Sequence, residues 1–370
     1  MDNKTWDNIA DYIYNISIKT IDNRKVVMYG YSYRNSAIAK KLSERGITIA
    51  FYVDGAIGKQ MVKGVYKPDV LKNAASQYYI IIPMLCCDEI IELLNSYGYM
   101  PNDYIYLGNL RYEIKKMSEA YFEDNYGNRI IIESKNQEDI KEHYIDRLRQ
   151  NIKFKGFDST VVVNDNCVLG KQFNLSMKDN SYFELGENTK INCLISINDN
   201  CEFRCGNNCV FSQSGLIEMY DSKIIIGNQF TIEPGYTFRT LRKSAITIGD
   251  DCMFSYNINM RTNDGHSIFD VNTGNNINST DKLNESRNIY IGNHVWLGMN
   301  VTVLYNSNIN DGSIIGAMSL VKSEVPNNCI AAGVPAHITR KDIAWSRNNS
   351  SLDIDECGME YVGNTKLYGG

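Results

Sequence analysis

Ile291-Gly292-Asn293-His294 is the last of five copies of one short pattern in the second half of the chain. An apolar residue or cysteine, a glycine and two polar residues recur in the earlier copies Leu185-Gly186-Glu187-Asn188, Cys205-Gly206-Asn207-Asn208, Ile226-Gly227-Asn228-Gln229 and Ile248-Gly249-Asp250-Asp251. The glycines are 20, 21, 22 and 43 residues apart, and Gly312 follows 20 residues after Gly292. Since 43 is close to two steps, this period predicts a β-helix solenoid, with the apolar residue inside and glycine or asparagine at the tight corner.

The double step between Gly249 and Gly292 indicates an insertion. The polar segment 262–287 fills it and contains Asn263-Asp264-Gly265-His266 near its start. A long loop on a rigid scaffold is a usual place for functional residues, so we expect the chemistry to lie here.

The first hundred residues follow a different pattern. Apolar residues at helical spacing predict a first helix, and short apolar strands then alternate with helices, which predicts a small parallel sheet. The strands are predicted at 26–29, 47–53, 79–82 and 104–107, and the helices at 36–45 and 88–97.

The turn after the first predicted strand bears on nucleotide binding. Gly30-Tyr31-Ser32-Tyr33-Arg34-Asn35 lacks the second and third glycines of a dinucleotide fingerprint. A docking role and a pocket for another ligand remain alternatives, and Asp54 is interpreted as a turn acid rather than a ribose ligand.

The chain is therefore divided into four regions. Residues 1–109 form the α/β domain, and the highly charged residues 110–158 are predicted to be a helical connector. The β-helix is placed at 159–345, and 346–370 is interpreted as an irregular tail.

Composition narrows the function classes. With 38 basic and 43 acidic residues in 370, the net charge of −5 argues against a nucleic-acid partner. The longest apolar run, 78–87, is about half of the ~20 residues that a transmembrane helix needs, and the N-terminus lacks a signal peptide. We therefore expect a cytoplasmic protein without a transmembrane segment.

The cysteines could suggest a metal site. Cys201, Cys205 and Cys209 recur every four residues, but zinc sites usually pair such ligands with a second cysteine pair or with histidines, and neither lies nearby in the sequence. Buried thiols inside the repeat are the preferred interpretation, and no metal is expected.

Three segments resemble a known family. The segments 291–298, 311–317 and 332–336 resemble the closing coils of hexapeptide-repeat, left-handed β-helix acyltransferases. Asp264-Gly265-His266 ahead of the Trp296 coil is most similar to the O-acetyltransferases of capsule, O-antigen and sialic-acid polymers. The resemblance covers roughly residues 160–345, and the N-terminal sheet resembles the Rossmann-like domain of nucleotide-sugar N-acetyltransferases.

The resemblance implies roles for particular residues. His266 matches the loop histidine that acts as general base on the acceptor hydroxyl, a task suited to an imidazole. Asp264 or Asp270 would orient its ring, or either is only a turn residue. Trp296 matches the tryptophan that lines the acceptor and acetyl site, and His294 is either a rival base or a corner residue.

The same coils imply acetyl-CoA as the donor. Small residues match positions along the pantetheine groove, and basic residues match positions near the phosphates of the donor: Gly298, Gly316, Ala317, Lys322, Arg340 and Lys341. Met318 and Tyr305-Asn306 depart from the family pattern, which puts the local shape of the groove in doubt. Trp345 would cover the adenine or cap the solenoid, and a homotrimer is implied.

These observations favour acetyl-CoA-dependent O-acetylation of a sugar in a surface polysaccharide. The alternatives are N-acetylation of an amino nucleotide-sugar, acetylation of an antibiotic, and a non-catalytic solenoid that binds glycan or scaffolds an assembly. A metal-dependent hydratase would need three histidines shared between coils, and only His266 and His294 lie among them. The acceptor sugar, the hydroxyl position and the ligand of the N-terminal domain stay open.

Overall fold

The computed structural model describes residues 3–83, 87–107, 115–118, 120–124, 126–134, 140–278 and 287–347. The chain divides into two compact units. The first unit is residues 1–115 with 124–128 and 156–158, and the second is 116–123, 129–155 and 159–370.

The first unit is an α/β domain with a five-stranded sheet in the order β3-β2-β1-β4-β5. Its elements are α1 Asn3–Ser17, β1 Lys25–Tyr29, α2 Tyr33–Ser43, β2 Ile49–Val53, β3 Val65–Tyr66, β4 Tyr78–Ile82, α3 Asp88–Ser96 and β5 Tyr104–Tyr106. The predicted parallel sheet and its helices are confirmed, and β3 is an additional edge strand. None of the helices in the described ranges is long and apolar enough to cross a lipid bilayer.

Asp54 organises the loops at the carboxyl end of this sheet. Its carboxylate accepts hydrogen bonds from the backbone N–H of Tyr31 and of Ala56, each at 2.9 Å, and lies 3.2 Å from the Lys59 ammonium. Burial alone would raise the pKa of Asp54, but these contacts outweigh it and hold that pKa below its ordinary value. Asp54 therefore ties together the loops that follow β1 and β2, which agrees with its interpretation as a turn acid.

The second unit winds around three sheets. Its first elements are β6 Lys115–Ser118, β7 Tyr121–Glu123, β8 Arg129–Glu133, α4 Glu142–Asn151, β9 Ile152–Phe154, β10 Thr160–Asn164, β11 Val168–Leu169, β12 Asn174–Met177, β13 Tyr182–Leu185, β14 Lys190–Ile191 and β15 Leu194–Ile197. The next are β16 Glu202–Cys205, β17 Val210–Phe211, β18 Leu216–Tyr220, β19 Lys223–Ile226, β20 Thr231–Ile232, β21 Thr237–Leu241, β22 Ala245–Ile248, β23 Met253–Phe254 and β24 Asn259–Arg261. The last are β25 Ile289–Ile291, β26 Trp296–Leu297, β27 Thr302–Leu304, β28 Ser307–Ile309, β29 Ile314–Ile315, β30 Leu320–Val321, β31 Glu324–Val325, β32 Ile330–Gly333 and β33 Ala336–Arg340.

These strands form eleven-, nine- and eight-stranded sheets, which each coil visits in that order. Neighbouring strands of successive coils run parallel, as in β13–β16, β14–β17 and β15–β18. The predicted fold class, an α/β domain followed by a β-helix, is confirmed.

The recurring glycines are required by the spacing of the coils. In each copy of the pattern the Asn or Asp of the next coil lies over the glycine, and a Cβ on Gly227 would stand 2.3 Å from Asp250 Oδ1. That oxygen accepts a hydrogen bond of 2.6 Å from the backbone N–H of Asn228. The same bond recurs from Glu187 to Asn207, Asn207 to Asn228, Asp250 to Asn293 and Asn293 to Asp311. We call this arrangement the glycine–Asn/Asp ladder.

The tight corner itself lies two positions after the glycine in the five copies of the pattern, and at Gly312 and Asn328 in the two coils that follow. These corner residues have φ between 52° and 68°, the left-handed region, and they are Asn188, Asn208, Gln229, Asp251, His294, Gly312 and Asn328. From Asn208 onward, each corner N–H donates to the carbonyl of the residue that precedes the corner in the previous coil, as His294 N to Asp250 O at 2.8 Å. The repeat predicted glycine or asparagine at the tight corner; in the five copies of the pattern the glycine instead lies under the next coil, and another residue takes the corner.

Aromatic rings fill the interior of the solenoid. The Phe183 and Phe203 rings stack with centroids 5.0 Å apart, and the Phe230 and Phe254 rings meet edge to face at the same distance. All four side chains are fully buried, so each coil supplies apolar surface to the next.

The segment 110–158 is not the helical connector that its charge suggested. Its described residues hold the strands β6, β7, β8 and β9 and a single helix, α4. β8 pairs in parallel with β10 and so extends the eleven-stranded sheet. The run Arg129-Ile130-Ile131-Ile132-Glu133 is rich in β-branched residues, which favour a strand. The charged residues at its ends indicate solvent exposure and do not indicate a helix. Beyond Arg347 the predicted tail lies outside the described residues.

The ladder predicts the outcome of a glycine substitution. Gly227→Ala should lower the free energy of unfolding by about 1–3 kcal/mol, because the new methyl group would overlap Asp250. Gly55→Ala is the control, since a Cβ there meets nothing within 4 Å. Urea titrations of both variants would measure the effect, and equal stabilities would contradict the explanation of the ladder.

Candidate active site

The segment that carries His266 leaves the solenoid between two sheets. β24 of the eight-stranded sheet ends at Arg261, and the coil resumes with β25 of the eleven-stranded sheet at Ile289. Within the described part of this loop, His266 is exposed and its ring has no hydrogen-bond partner. The imidazole is therefore free to meet a substrate.

A buried arginine ties the two ends of the loop together. Arg287, 7% exposed, donates from Nη1 to Asp264 Oδ2 at 2.9 Å and from Nη2 to the carbonyl of Asn278 at 3.1 Å. Its guanidinium carbon lies 4.5 Å from the ring centroid of Tyr305, on the next coil. The guanidinium thus links both loop ends to the solenoid.

Asn278 links Asp264 to the backbone of His266. Its side-chain amide donates to Asp264 Oδ2 at 3.0 Å and to the backbone carbonyl of His266 at 2.8 Å. Burial would raise the pKa of Asp264, but the hydrogen bonds from Asn278 and Arg287 prevail and lower it. Asp264 is thus an ion-paired carboxylate that shapes the loop, and it makes no contact with the His266 ring within the described residues.

Asp270 is occupied by its own turn. Its Oδ1 accepts hydrogen bonds from the backbone N–H groups of Asn272 and Thr273 and from the Thr273 hydroxyl, at 2.8 to 3.0 Å. These bonds lower the pKa of Asp270. Of the two interpretations given for Asp270, the geometry fits the turn residue.

Trp296 lies in β26, on the outer face of the nine-stranded sheet, and its side chain is 37% exposed. An indole has little room in an interior already filled by aromatic rings, which agrees with this outward position. No hydrogen bond or ring contact joins Trp296 to His266 within the described residues. Along the coil, the eleven-stranded sheet separates the loop from Trp296.

His294 is fully engaged and does not resemble a free base. It is a corner residue, 2% exposed, with Nδ1 2.6 Å from Asp251 Oδ2 and Nε2 2.9 Å from the carbonyl of Trp345. The Trp345 ring stacks on the imidazole at 3.9 Å, and the Trp345 indole N–H donates to the His294 carbonyl at 2.9 Å.

The small residues predicted to line the donor groove follow strands of the nine-stranded sheet. A Cβ on Gly298 would lie 2.7 Å from the backbone nitrogen of Ala317, and one on Gly316 would lie 2.9 Å from Ala332 Cβ. Stacking of the coils is therefore sufficient reason for both glycines. Met318 adopts a φ of 63°, in the left-handed region that glycine enters most easily.

The predicted phosphate-binding cations lie on the last coils. Lys322 follows β30 in the eight-stranded sheet, whereas Arg340 ends β33 and Lys341 follows it beside the nine-stranded sheet. All three are exposed, and none forms an ion pair in the part of the chain that the structure describes. They are available to an anion, but Lys322 lies at a different sheet from Arg340 and Lys341.

The cysteines lie inside the solenoid. Cys201, Cys205 and Cys209 are buried free thiols, and Cys209 Sγ donates to the carbonyl of Gly227 at 3.2 Å. Within the described residues no group of three or more His, Cys, Asp or Glu side chains is arranged to hold a metal ion.

Sequence reasoning missed four residues of these networks: Asn278, Arg287, Asp251 and Arg347. Arg287 had a signal, because it is the last residue before the repeat resumes. Asp251 also had one, because it places an acid at a corner where the preceding coils have Asn or Gln. No local pattern marked Asn278 or Arg347.

No family model matches the sequence. The polysialic acid O-acetyltransferase of Escherichia coli O1:K1 is 34% identical over 135 residues, which is 36% of this chain and 42% of that protein. The galactoside O-acetyltransferase of Escherichia coli K12 is 33% identical over 133 residues, 33% of this chain and 56% of that protein. The crystallographically analysed polysialic acid O-acetyltransferase OatWY superposes with a TM-score of 0.49 and 24% identity, covering 55% of this chain and 95% of that one.

The chain thus spans about half the length of the curated relatives that it matches. Both relatives are O-acetyltransferases, one named for polysialic acid and the other for a galactoside. The resemblance inferred from the coil motifs is confirmed.

Removing the loop anchor should loosen the segment around His266. In Arg287→Ala we expect faster hydrogen–deuterium exchange across residues 263–278, because Asp264 and Asn278 lose their shared donor. Arg204→Ala is the matched control: Arg204 pairs with Glu184 and Glu202 on earlier coils that do not border the loop. Unchanged exchange in Arg287→Ala would show that the loop holds its shape without the anchor.

The contacts of Asp251 with His294 and Arg347 should be sensitive to acid. Burial would raise its pKa, but hydrogen bonds from His294 and Arg347 lower it. Its stabilising contribution is therefore present above the unfolded pKa of about 3.9 and is lost as the pH falls through the lower folded value.

Wild type should be more stable than Asp251→Asn at neutral pH, and the difference should shrink below about pH 4. Melting temperatures across this range would measure it. A difference that stays constant into strong acid would contradict the assignment.

Proposed function

We propose that this protein transfers an acetyl group from acetyl-CoA to a sugar hydroxyl of a surface polysaccharide. The observation that carries the proposal is the exposed ring of His266, which has no hydrogen-bond partner among the described residues, on a loop whose main chain is held by Asn278, Asp264 and Arg287. A base that must reach a substrate proton needs both a free ring and a fixed position. The relationship to O-acetyltransferases supports this chemistry.

The reaction requires one proton transfer at each end. His266 takes the proton of the acceptor hydroxyl while the hydroxyl oxygen attacks the thioester carbonyl carbon. The new C–O bond forms, the C–S bond breaks, and the proton passes from the imidazolium to the leaving thiolate as free coenzyme A departs. The thioester is already activated, so positioning and stabilisation of one oxyanion complete the task. In this scheme Asp264 is a positioning residue for His266.

The donor is assigned to the closing coils by the resemblance. Gly298, Gly316 and Ala317 would border the pantetheine, and Trp296 would line the acetyl and acceptor site. The exposed Lys322, Arg340 and Lys341 would meet the phosphates, because unpaired surface cations are available to an anion.

A homotrimer is part of the proposal. The His266 loop leaves one edge of the solenoid and Trp296 lies on the next sheet but one along the coil. Side-by-side packing of three copies would set the loop of one subunit against the nine-stranded sheet of another. The site would then lie between subunits.

We also propose that the reaction takes place in the cytoplasm.

The acceptor class follows from the relatives' names. A polymer of acidic sugars and a simple galactoside are both represented among them. We favour the polymer, and we test it against single sugars and against amino nucleotide-sugars.

The test is release of free thiol from acetyl-CoA with each acceptor, for wild type, His266→Ala and Trp296→Ala. We expect release with a polysaccharide acceptor and a loss of about 100-fold or more in His266→Ala, the usual contribution of a general base. His143→Ala is the matched control, since it removes another exposed histidine, on α4.

Release only with amino nucleotide-sugars would replace O-acetylation by the N-acetyltransferase alternative. Absence of release with every acceptor would favour the non-catalytic glycan-binding solenoid. Equal rates in His266→Ala and wild type would remove His266 from the mechanism.

A further inference from the structure

A short segment after the last coil turns back along the solenoid instead of ending on it. Ile343 is held at the corner of the last coil: its N–H donates to the Asn328 carbonyl, and its carbonyl accepts from the Asn328 side chain, each at 3.0 Å. Trp345 contacts His294, and Arg347 contacts Asp251 and Gln229. We call residues 343–347 the strap.

The strap follows one column of corner residues. Asn328, His294, Asp251 and Gln229 all have left-handed φ and occupy the same position in their coils, and the corner residue skipped is Gly312. Coils lie about 4.8 Å apart, so four steps span about 19 Å. An extended backbone of five residues together with an arginine side chain covers that distance. The strap therefore crosses the coils nearly at right angles to their strands.

Arg347 fastens the far end of the strap. Nε donates to Asp251 Oδ1 at 2.6 Å, Nη1 to the Thr231 hydroxyl at 2.9 Å, and Nη2 to the carbonyls of Cys252 and Gln229 at 2.9 and 3.1 Å. One guanidinium thus bonds to groups on two coils. Such a fork fixes orientation as well as distance.

Asp251 joins the strap to the corner histidine. One of its oxygens receives Arg347 and the other faces His294 Nδ1. The second ring nitrogen of His294 faces the Trp345 carbonyl, and both partners are acceptors. Both ring nitrogens of His294 are therefore engaged, one by Asp251 and the other by the strap.

Trp345 lies between this network and Trp296. Its ring stacks on His294 with 14° between the planes, and its centroid is 6.0 Å from that of Trp296, at 48°. Trp345 is 7% exposed, whereas Trp296 is 37% exposed. The buried indole backs the exposed one, which is the arrangement of a support rather than of a substrate contact.

We propose that the strap fixes the orientation of Trp296 and that Trp345 is a positioning residue for it, locked by Arg347, Asp251 and His294. The inference rests on the proposed function in one respect, that Trp296 lines the site. A segment that only capped the solenoid would cover the open end of the last coil. This one runs past it to the Trp296 coil and beyond.

The first test separates positioning from stability by kinetics. Trp345→Ala and Arg347→Ala should lower kcat/KM by about tenfold or more with the larger part in kcat, because the substrate would still bind but Trp296 would be misaligned. Trp345→Phe should recover part of the loss, since it keeps an aromatic face. Arg204→Ala is the matched control: it removes a surface arginine that pairs with Glu184 and Glu202, away from the strap.

The second test needs no activity. In a Trp6→Phe/Trp345→Phe background Trp296 is the one remaining tryptophan of the three in the sequence. Adding Arg347→Ala should raise the acrylamide quenching constant of its fluorescence, whereas adding Arg204→Ala should not.

Two outcomes would overturn the inference. One is an Arg347→Ala variant that melts at a lower temperature but keeps kcat, KM and quenching of Trp296 unchanged, which would make the strap a stabilising clasp only. The other is a quenching constant that rises equally in Arg204→Ala. If wild type releases no thiol with any acceptor, the proposed function fails, and the quenching comparison still decides whether the strap holds Trp296.

Discussion

The second unit depends on the glycine–Asn/Asp ladder. Each ladder oxygen accepts a backbone N–H from the preceding coil beside a corner glycine, and this bond ties one coil to the next. The bond requires the next coil to come so close that only glycine fits beneath it. One constraint therefore sets the separation of the coils, the hydrogen bonding at their corners and the period of the sequence.

The ladder also explains how the solenoid tolerates a long loop. Asn293 accepts from Asp250 across 43 residues of sequence at 2.8 Å, as closely as its counterparts do across 20 to 22. The coil register is the same on both sides of the insertion, so the loop leaves the stacking undisturbed. The fixed register also stacks corner side chains in columns, which is why Asp251 and His294 meet.

Periodic features were predictable from the sequence, and contacts between irregular segments were not. The solenoid was visible because its constraint recurs in each coil as a local pattern, and the α/β unit because its strands and helices alternate. The prediction of a helical connector was wrong because charged residues indicate solvent exposure, and both helices and strands can be exposed to solvent. Asp264 is two residues from His266 in the sequence, but its partner Arg287 is 23 residues away, and only the folded loop brings Asp264 and Arg287 together.

A solenoid with a filled interior must do its chemistry outside, where side chains are poorly constrained. Here both segments that flank the candidate site cross from coil to coil and are fastened by an arginine, Arg287 for the loop and Arg347 for the strap. A guanidinium suits this task because its rigid, divergent N–H groups satisfy acceptors on separate segments at once. A lysine ammonium could replace the charge but not that geometry. The rigid coils thus provide fixed attachment points. The guanidinium groups of the two arginines use these points to hold the loop of His266 at one edge and the strap behind Trp296 at another.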